Sequence, residues 1–247
     1  MISCRSLTRR FGDFTAVDSL TFDVPAGAIC AFMGPNGAGK STTLNMLTGL
    51  LSPTSGDAFV AGCSVTSGSM EWKRKIGVLP SNLGLFDDLT VEEHLLLTGR
   101  VYGIAAAETR ARAAQLLRVL DLEHGRRVFA GNCSSGMKKK TSLAMALLPN
   151  PPVLFLDEPF EAIDPMTARA IGEVLERFAA RGGTVFLTSH ILSALERLAT
   201  RFIIIHGGRV ARDFERGALE RPLEELYFGL IDVPVVEELD WLGSGRS

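Results

Sequence analysis

The stretch Gly34-Pro35-Asn36-Gly37-Ala38-Gly39-Lys40-Ser41-Thr42 contains the pattern G-x-x-x-x-G-K-[ST], filled by Gly34 through Ser41. The chemistry suited to that pattern is the cradling of a phosphate. Glycines let successive backbone N–H groups turn inward around an anion, where a Cβ would block the approach. A helix that opens at Lys40 adds the positive end of its dipole. Lys40 offers a mobile ammonium to the β- and γ-phosphates, and the Ser41 hydroxyl is a ligand suited to Mg²⁺. The second chemical cluster is Val153-Leu154-Phe155-Leu156-Asp157-Glu158, four apolar residues that end in two acids. A buried strand of this kind delivers Asp157 beside the phosphate loop as a holder of Mg²⁺. Glu158 is then set to orient and deprotonate a water. A third group, Thr188-Ser189-His190, closes another apolar run, and an imidazole there can donate to a γ-phosphate or position the water. His94, His124 and His206 have no second ligand at metal spacing and are read as structural.

The elements that must position these groups follow from hydrophobic pattern. Ile29–Met33, Val153–Leu156, Thr184–Thr188 and Arg201–His206 are short apolar runs bounded by turn residues, which predicts buried strands. Helical periodicity lies between them, over Ala168–Ala180 and Ile191–Ala199. Strands alternating with helices predict an α/β fold with a mostly parallel central sheet covered on both faces. Phe14–Val24 alternates polar residues and predicts antiparallel β structure at an edge. Between residues 85 and 140 the pattern turns helical: Thr90 with Glu92 and Glu93 opens a helix over Val91–Tyr102, and Thr109–Leu122 forms a second, so an all-helical sub-domain is inserted there. From Gly217 onward Pro222, Pro234 and Gly243 suggest a loosely attached tail.

Composition excludes several classes. The chain has 247 residues with Lys plus Arg 26 and Asp plus Glu 28, a near balance that gives no electrostatic grip on nucleic acid. Apolar residues make up 46%, enough for a sizeable core and too many for a disordered chain. The longest charge-free stretches, Ser41–Gly56 and Thr141–Leu156, are broken by polar residues, Gly or Pro, so neither reads as a membrane span. The N-terminus carries no secretory signal pattern. Cys4, Cys30, Cys63 and Cys133 are scattered and read as buried reduced thiols.

One further segment narrows the reading. Cys133-Ser134-Ser135-Gly136-Met137-Lys138-Lys139-Lys140 resembles an LSGGQ-type motif in an S-x-G-M-K variant, and Ser134 precedes Asp157 by 23 residues. With the phosphate loop and the Asp-Glu strand in the same order, the chain resembles the nucleotide-binding subunit of an ATP-binding cassette (ABC) transporter over residues 1–216, leaving 217–247 as a short C-terminal tail. The resemblance implies a P-loop NTPase fold that hydrolyses ATP with Mg²⁺. It implies further that Phe11 stacks on adenine, that Glu161-Ala162-Ile163-Asp164 is a D-loop, and that His190 is a switch histidine. Ser134, Ser135, Gly136 and Met137 begin a predicted helix over Met137–Leu148, a second anion site by hydroxyl, backbone N–H and dipole. The family's arrangement is a head-to-tail dimer in which residues 34–42 of one subunit face 134–137 of the other with ATP between. Lys138–Lys140 read as a solvated helix face.

The resemblance also implies partners: a second nucleotide-binding subunit, and a separate multi-span membrane permease that holds this subunit on the cytoplasmic face of the cell membrane. The surface around 83–98, with Leu85, Phe86 and Leu89 as exposed apolar residues, is where the family docks a permease helix. The S-x-G-M-K variant and Pro80-Ser81-Asn82-Leu83-Gly84-Leu85 resemble the ABC-2 branch, which mostly serves exporters. Ser81 stands where the family has Gln or an acid; it is short for a metal contact without a bridging water, which predicts slow or weakly coupled hydrolysis. Two rival readings are an ATP-binding regulatory or scaffold subunit with little turnover, and an ABC ATPase outside transport.

Overall fold

A computed structural model of the chain describes residues 1–68 and 70–231. The N-terminal strands β1 (Ile2–Phe11) and β2 (Phe14–Val24) form an antiparallel hairpin, and β3 (Ile29–Met33) then runs into the phosphate loop and α1 (Lys40–Leu47). β4 (Ser55–Val60) and β5 (Cys63–Ser64) return to the hairpin, giving a four-stranded antiparallel sheet in the order β2-β1-β4-β5. β6 (Ile76–Leu79) leads to the helical stretch α2 (Val91–Val101), α3 (Ala106–Val119) and α4 (Ser135–Leu147). The remainder alternates: β7 (Val153–Asp157), α5 (Pro165–Ala180), β8 (Thr184–Thr188), α6 (Leu192–Leu198), β9 (Arg201–His206), β10 (Arg209–Glu215) and α7 (Leu223–Phe228).

The second sheet has six strands in the order β10-β9-β3-β8-β7-β6. Five of them pair in parallel, and β10 folds back on β9 as an antiparallel edge. β3 shows why both faces are covered: Ile29, Ala31 and Met33 join the core under the helices, whereas Cys30 and Phe32 join the core under the antiparallel sheet and α1. This is the α/β architecture with antiparallel edge sheet and inserted helices that the pattern predicts.

Local signals explain most boundaries. Thr90 caps α2 and forms a reciprocal capping box with Glu93. α3 begins three residues before the predicted start, because Ala106 and Ala107 are good helix formers and Glu108 supplies the acidic first turn. α4 opens at Ser135 rather than Met137, since the Ser134 side chain accepts the Met137 N–H as N-cap. The tail from Gly217 differs from expectation in its first part. α7 is docked, with Leu223 and Leu226 buried in the main core and the Glu196 carboxylate accepting the Leu223 N–H. Pro234 and Gly243 lie outside the described residues. Cys4, Cys30 and Cys133 are buried thiols as predicted, and Cys63 is half-buried with Lys75 Nζ 3.5 Å from its sulfur. Among the described residues no helix is long and apolar enough to cross a membrane.

An aromatic cluster joins the two sheets. The Phe186 ring lies 5.0 Å from Phe32, 5.8 Å from Phe155 and 6.0 Å from Phe22, bringing β2 of the antiparallel sheet against β3, β7 and β8. Phe186 is fully buried. Phe186→Ala is expected to lower unfolding free energy by about 3–5 kcal/mol in urea titrations, because close packing leaves a cavity there.

Candidate active site

The phosphate loop follows β3 and wraps the N-terminus of α1, whose N-cap Gly39 has φ of 100°. A side chain at Gly39 would suffer that conformation and would also meet the Ala16 carbonyl oxygen at 2.5 Å. Gly34 is likewise pressed against the backbone of β9, its missing Cβ 2.4 Å from the Ile205 oxygen. Two of the loop's glycines are therefore required by packing within the protein as well as by an anion. Lys40 Nζ donates to the carbonyls of Gly34 at 2.7 Å and Pro35 at 3.1 Å. Burial lowers its pKa from the ordinary lysine value, with the charges of Glu158 and Asp157 pulling the other way.

The carboxylates stand across from the loop because β7 pairs in register with β8, Asp157 opposite Thr188. Buried Asp157 is surrounded by hydroxyls: Thr188 Oγ1 donates to Oδ1 at 2.5 Å, Ser41 Oγ to Oδ2 at 3.2 Å, and Ser81 Oγ also to Oδ2. The chain leaving β6 carries the Ser81 hydroxyl directly onto the acid. Glu158 has φ of 50°, a left-handed conformation that costs a non-glycine residue about 1–2 kcal/mol. Its N–H donates to Thr188 O at 3.2 Å and Thr188 Oγ1 at 3.1 Å. Its carboxylate takes the His190 N–H at 3.2 Å and lies 3.0 Å from His190 Nδ1.

Phe11, Asn36, Gly37, Gly39, Lys40, Ser41, Thr42, Ser81, Asp157, Glu158 and His190 line one open cleft of about 750 Å³. Gly34, Pro35 and Ala38 complete the loop behind that surface. Phe11 is half exposed at the mouth, with the Arg9 guanidinium 4.5 Å from its ring centre. The cleft can receive an anionic phosphate chain at the end where the loop meets the acids and a flat ring at the mouth beside Phe11.

Ser134, Ser135, Gly136, Met137 and Asp164 are absent from that lining. Ser134 and Ser135 are exposed at the start of α4, and the Ser134 oxygen is engaged in capping its own helix rather than aimed wholly outward. Gly136 is required by its neighbour, since a Cβ there would come within 2.8 Å of the Ala162 oxygen. Asp164 caps α5, accepting the Thr167 N–H at 2.9 Å, and Lys140 Nζ lies 3.3 Å from its carboxylate. The lysine run needs correction: Lys139 and Lys140 are buried, not solvated. Lys139 Nζ donates to Glu158 O and to Glu161 Oε2, both at 2.9 Å.

Phe14, Ala16 and Lys139 line the cleft without having been predicted to, while Glu161 was read only as part of the D-loop and Thr188 only as the residue ahead of Ser189 and His190. Phe14 lines the cleft mouth beside Phe11, which it faces across the β1–β2 hairpin; its alternation signal marked it only as edge strand. On the helical side, Phe86 is exposed as expected, but Leu85 and Leu89 are half-buried. His94 is structural: Nδ1 lies 2.8 Å from Thr90 O, and Nε2 accepts the Phe86 N–H at 2.9 Å.

Residues 17–161 match the family described as ABC transporter. The chain is 40% identical over 208 residues to the Nod factor export ATP-binding protein I of Burkholderia lata, covering 84% of this chain and 68% of that protein. It is 38% identical to the protein of the same name from Rhizobium meliloti, covering 84% and 62%. Among solved structures, an ATP binding subunit of an ABC transporter superposes with a TM-score of 0.87 at 33% identity, covering 93% of this chain and 99% of that one. A dimeric ATP-binding cassette in a post-hydrolysis state, bound to ADP and Pi, superposes with 0.81 at 26% identity, covering 87% and 99%.

Asp164 gives a pH-dependent prediction. The hydroxyl and N–H of Thr167, then the Lys140 ammonium, hold its carboxyl well below the usual range. A depressed carboxylate contributes stability that is present above its unfolded pKa of about 4 and lost as pH falls through the lower folded value. Asp164→Ala is expected to lower the melting temperature by about 2–4 °C at pH 6–8. The gap from wild type begins to narrow below about pH 4 and closes only as pH falls through the lower folded value, as thermal melts across pH will register.

Proposed function

The chain belongs to the ABC transporter family as an ATP-binding, ATP-hydrolysing subunit, and from that membership we propose a division of labour among its residues. Lys40 and the backbone N–H groups of residues 36–42 hold the β- and γ-phosphates of ATP. Phe11 stacks on adenine. Glu158 takes a proton from the attacking water, and His190 orients its carboxylate. Asp157, Ser41 and Ser81 converge with oxygen donors alone, a set that fits the hard cation Mg²⁺. When bound with the nucleotide, that ion would neutralise charge on the phosphates.

The observation that carries the dimer is the separation of Ser134–Met137 from the cleft on its own chain. A capped helix start with exposed Ser134 and Ser135 meets a triphosphate only in a second copy or a related subunit, so ATP is enclosed between two chains placed head to tail. The dimeric cassette bound to ADP and Pi supports this arrangement. Residues 1–216 form the ATPase unit, with the helical sub-domain of about 85–140 inserted, and the segment that follows begins with α7 packed on the core of that unit. The subunit works at the cytoplasmic face of the cell membrane through a separate multi-span permease docked on residues 83–98, with Phe86 as the exposed apolar contact. Export is the direction supported by the named relatives.

Glu158→Gln is expected to bind ATP normally, lose turnover by at least about 100-fold, and sediment as an ATP-dependent dimer. A variant that stays monomeric at saturating ATP would overturn the shared site. Ser81→Gln is expected to raise steady-state ATP hydrolysis, since a longer amide reaches past Asp157 towards the phosphates; an unchanged rate would remove the expectation that Ser81 slows hydrolysis.

A further inference from the structure

Lys139 is a buried ammonium beside the cleft whose role neither the motif nor the division of labour above supplies. It is 9% exposed, and a buried cation is tolerated only when it is paired and hydrogen-bonded. Its partners are the backbone carbonyl of Glu158 and the side chain of Glu161. Glu158 is itself the residue held in a left-handed conformation at the end of β7. Such a conformation persists where the surroundings over-determine it, and here each part of the residue is held separately. Thr188 takes the N–H, His190 meets the carboxylate, and Lys139 is the donor to the carbonyl.

We propose that Lys139 is a positioning residue for Glu158: its charged hydrogen bond to the Glu158 carbonyl fixes the turn that aims the carboxylate into the cleft. The proposal rests on the reading of Glu158 as the base. Two of the three ammonium donors are engaged by these oxygens, which directs its action to the orientation of the acid; since Lys139 also lines the cleft, the affinity measurement below separates that action from a contact with the phosphates. It also reaches Glu158 from α4, the helix whose first turn carries Ser134–Met137, so one helix serves both halves of a protomer's chemistry.

Misplacing a catalytic group by about 1 Å costs up to about 100-fold in rate. Lys139→Met is therefore expected to lower kcat for ATP about 10- to 100-fold. ATP affinity, read by calorimetry, should stay within about three-fold of wild type, because no phosphate contact is lost. Lys139→Arg, which restores a charged donor, should recover most of the rate. In a Glu158→Gln background, Lys139→Met should cause no further loss, since the group it positions is already gone. If Lys139→Met fails to fold, Lys139→Gln is measured instead with the same expectation. Wild-type kcat in the lysine variant overturns the proposal, as does a fall in ATP affinity that accounts for the loss of rate. Full turnover in Glu158→Gln alone would instead remove the base assignment, a separate outcome.

Discussion

Parallel pairing in register decides where chemistry can occur in this molecule. β8 lies between β3 and β7, and Thr188 stands opposite Phe32 on one side and Asp157 on the other. Strands buried on both faces keep their polar residues for their ends. Three neighbouring strands that stop at one level therefore bring a glycine loop, two acids and a histidine to a single edge of the sheet. Ligand sites in open α/β sheets lie at these carboxyl ends for the same reason.

Within that edge, two adjacent acids have opposite surroundings. Asp157 completes the strand and receives three hydroxyl donors, which hold its carboxylate in one orientation. Glu158 leaves the strand in a left-handed turn and meets an imidazole at the surface of the cleft. In the proposed division of labour, the change of backbone conformation between two consecutive residues separates a metal-holding task from a proton-accepting one. The same turn leads into residues 161–164, which are tied to α4 by Lys139, Lys140 and the close approach of Gly136 to Ala162.

Much of this was legible because it is local. The phosphate loop, the apolar run ending in Asp157 and Glu158, and the strand ending before His190 each carry their evidence within a few residues. Strands of mixed polarity were harder: β1, inside the antiparallel sheet, and the edge strand β10 carry Arg together with Ser or Asp, which weakens the apolar signal. Lys139 and Lys140 misled for a different reason. Three successive lysines suggest a solvated face, and only the position of residues 158–164 against α4 reveals carboxylates and a carbonyl waiting for them. Thr188 was equally silent, since a threonine at a strand end looks ordinary until its hydroxyl is seen to join both acids.

The mouth of the cleft is built from a different sheet than its floor. Phe11 and Phe14 come from the β1–β2 hairpin, whereas the loop and the acids come from the parallel strands. A ring that presents its face offers dispersion and quadrupole contact to any purine or pyrimidine, and discriminates little between them. On the proposed reading selectivity is graded: phosphate count is sensed by many directed groups, and base identity by two broad surfaces that belong to a sheet separate from the hydrolytic edge.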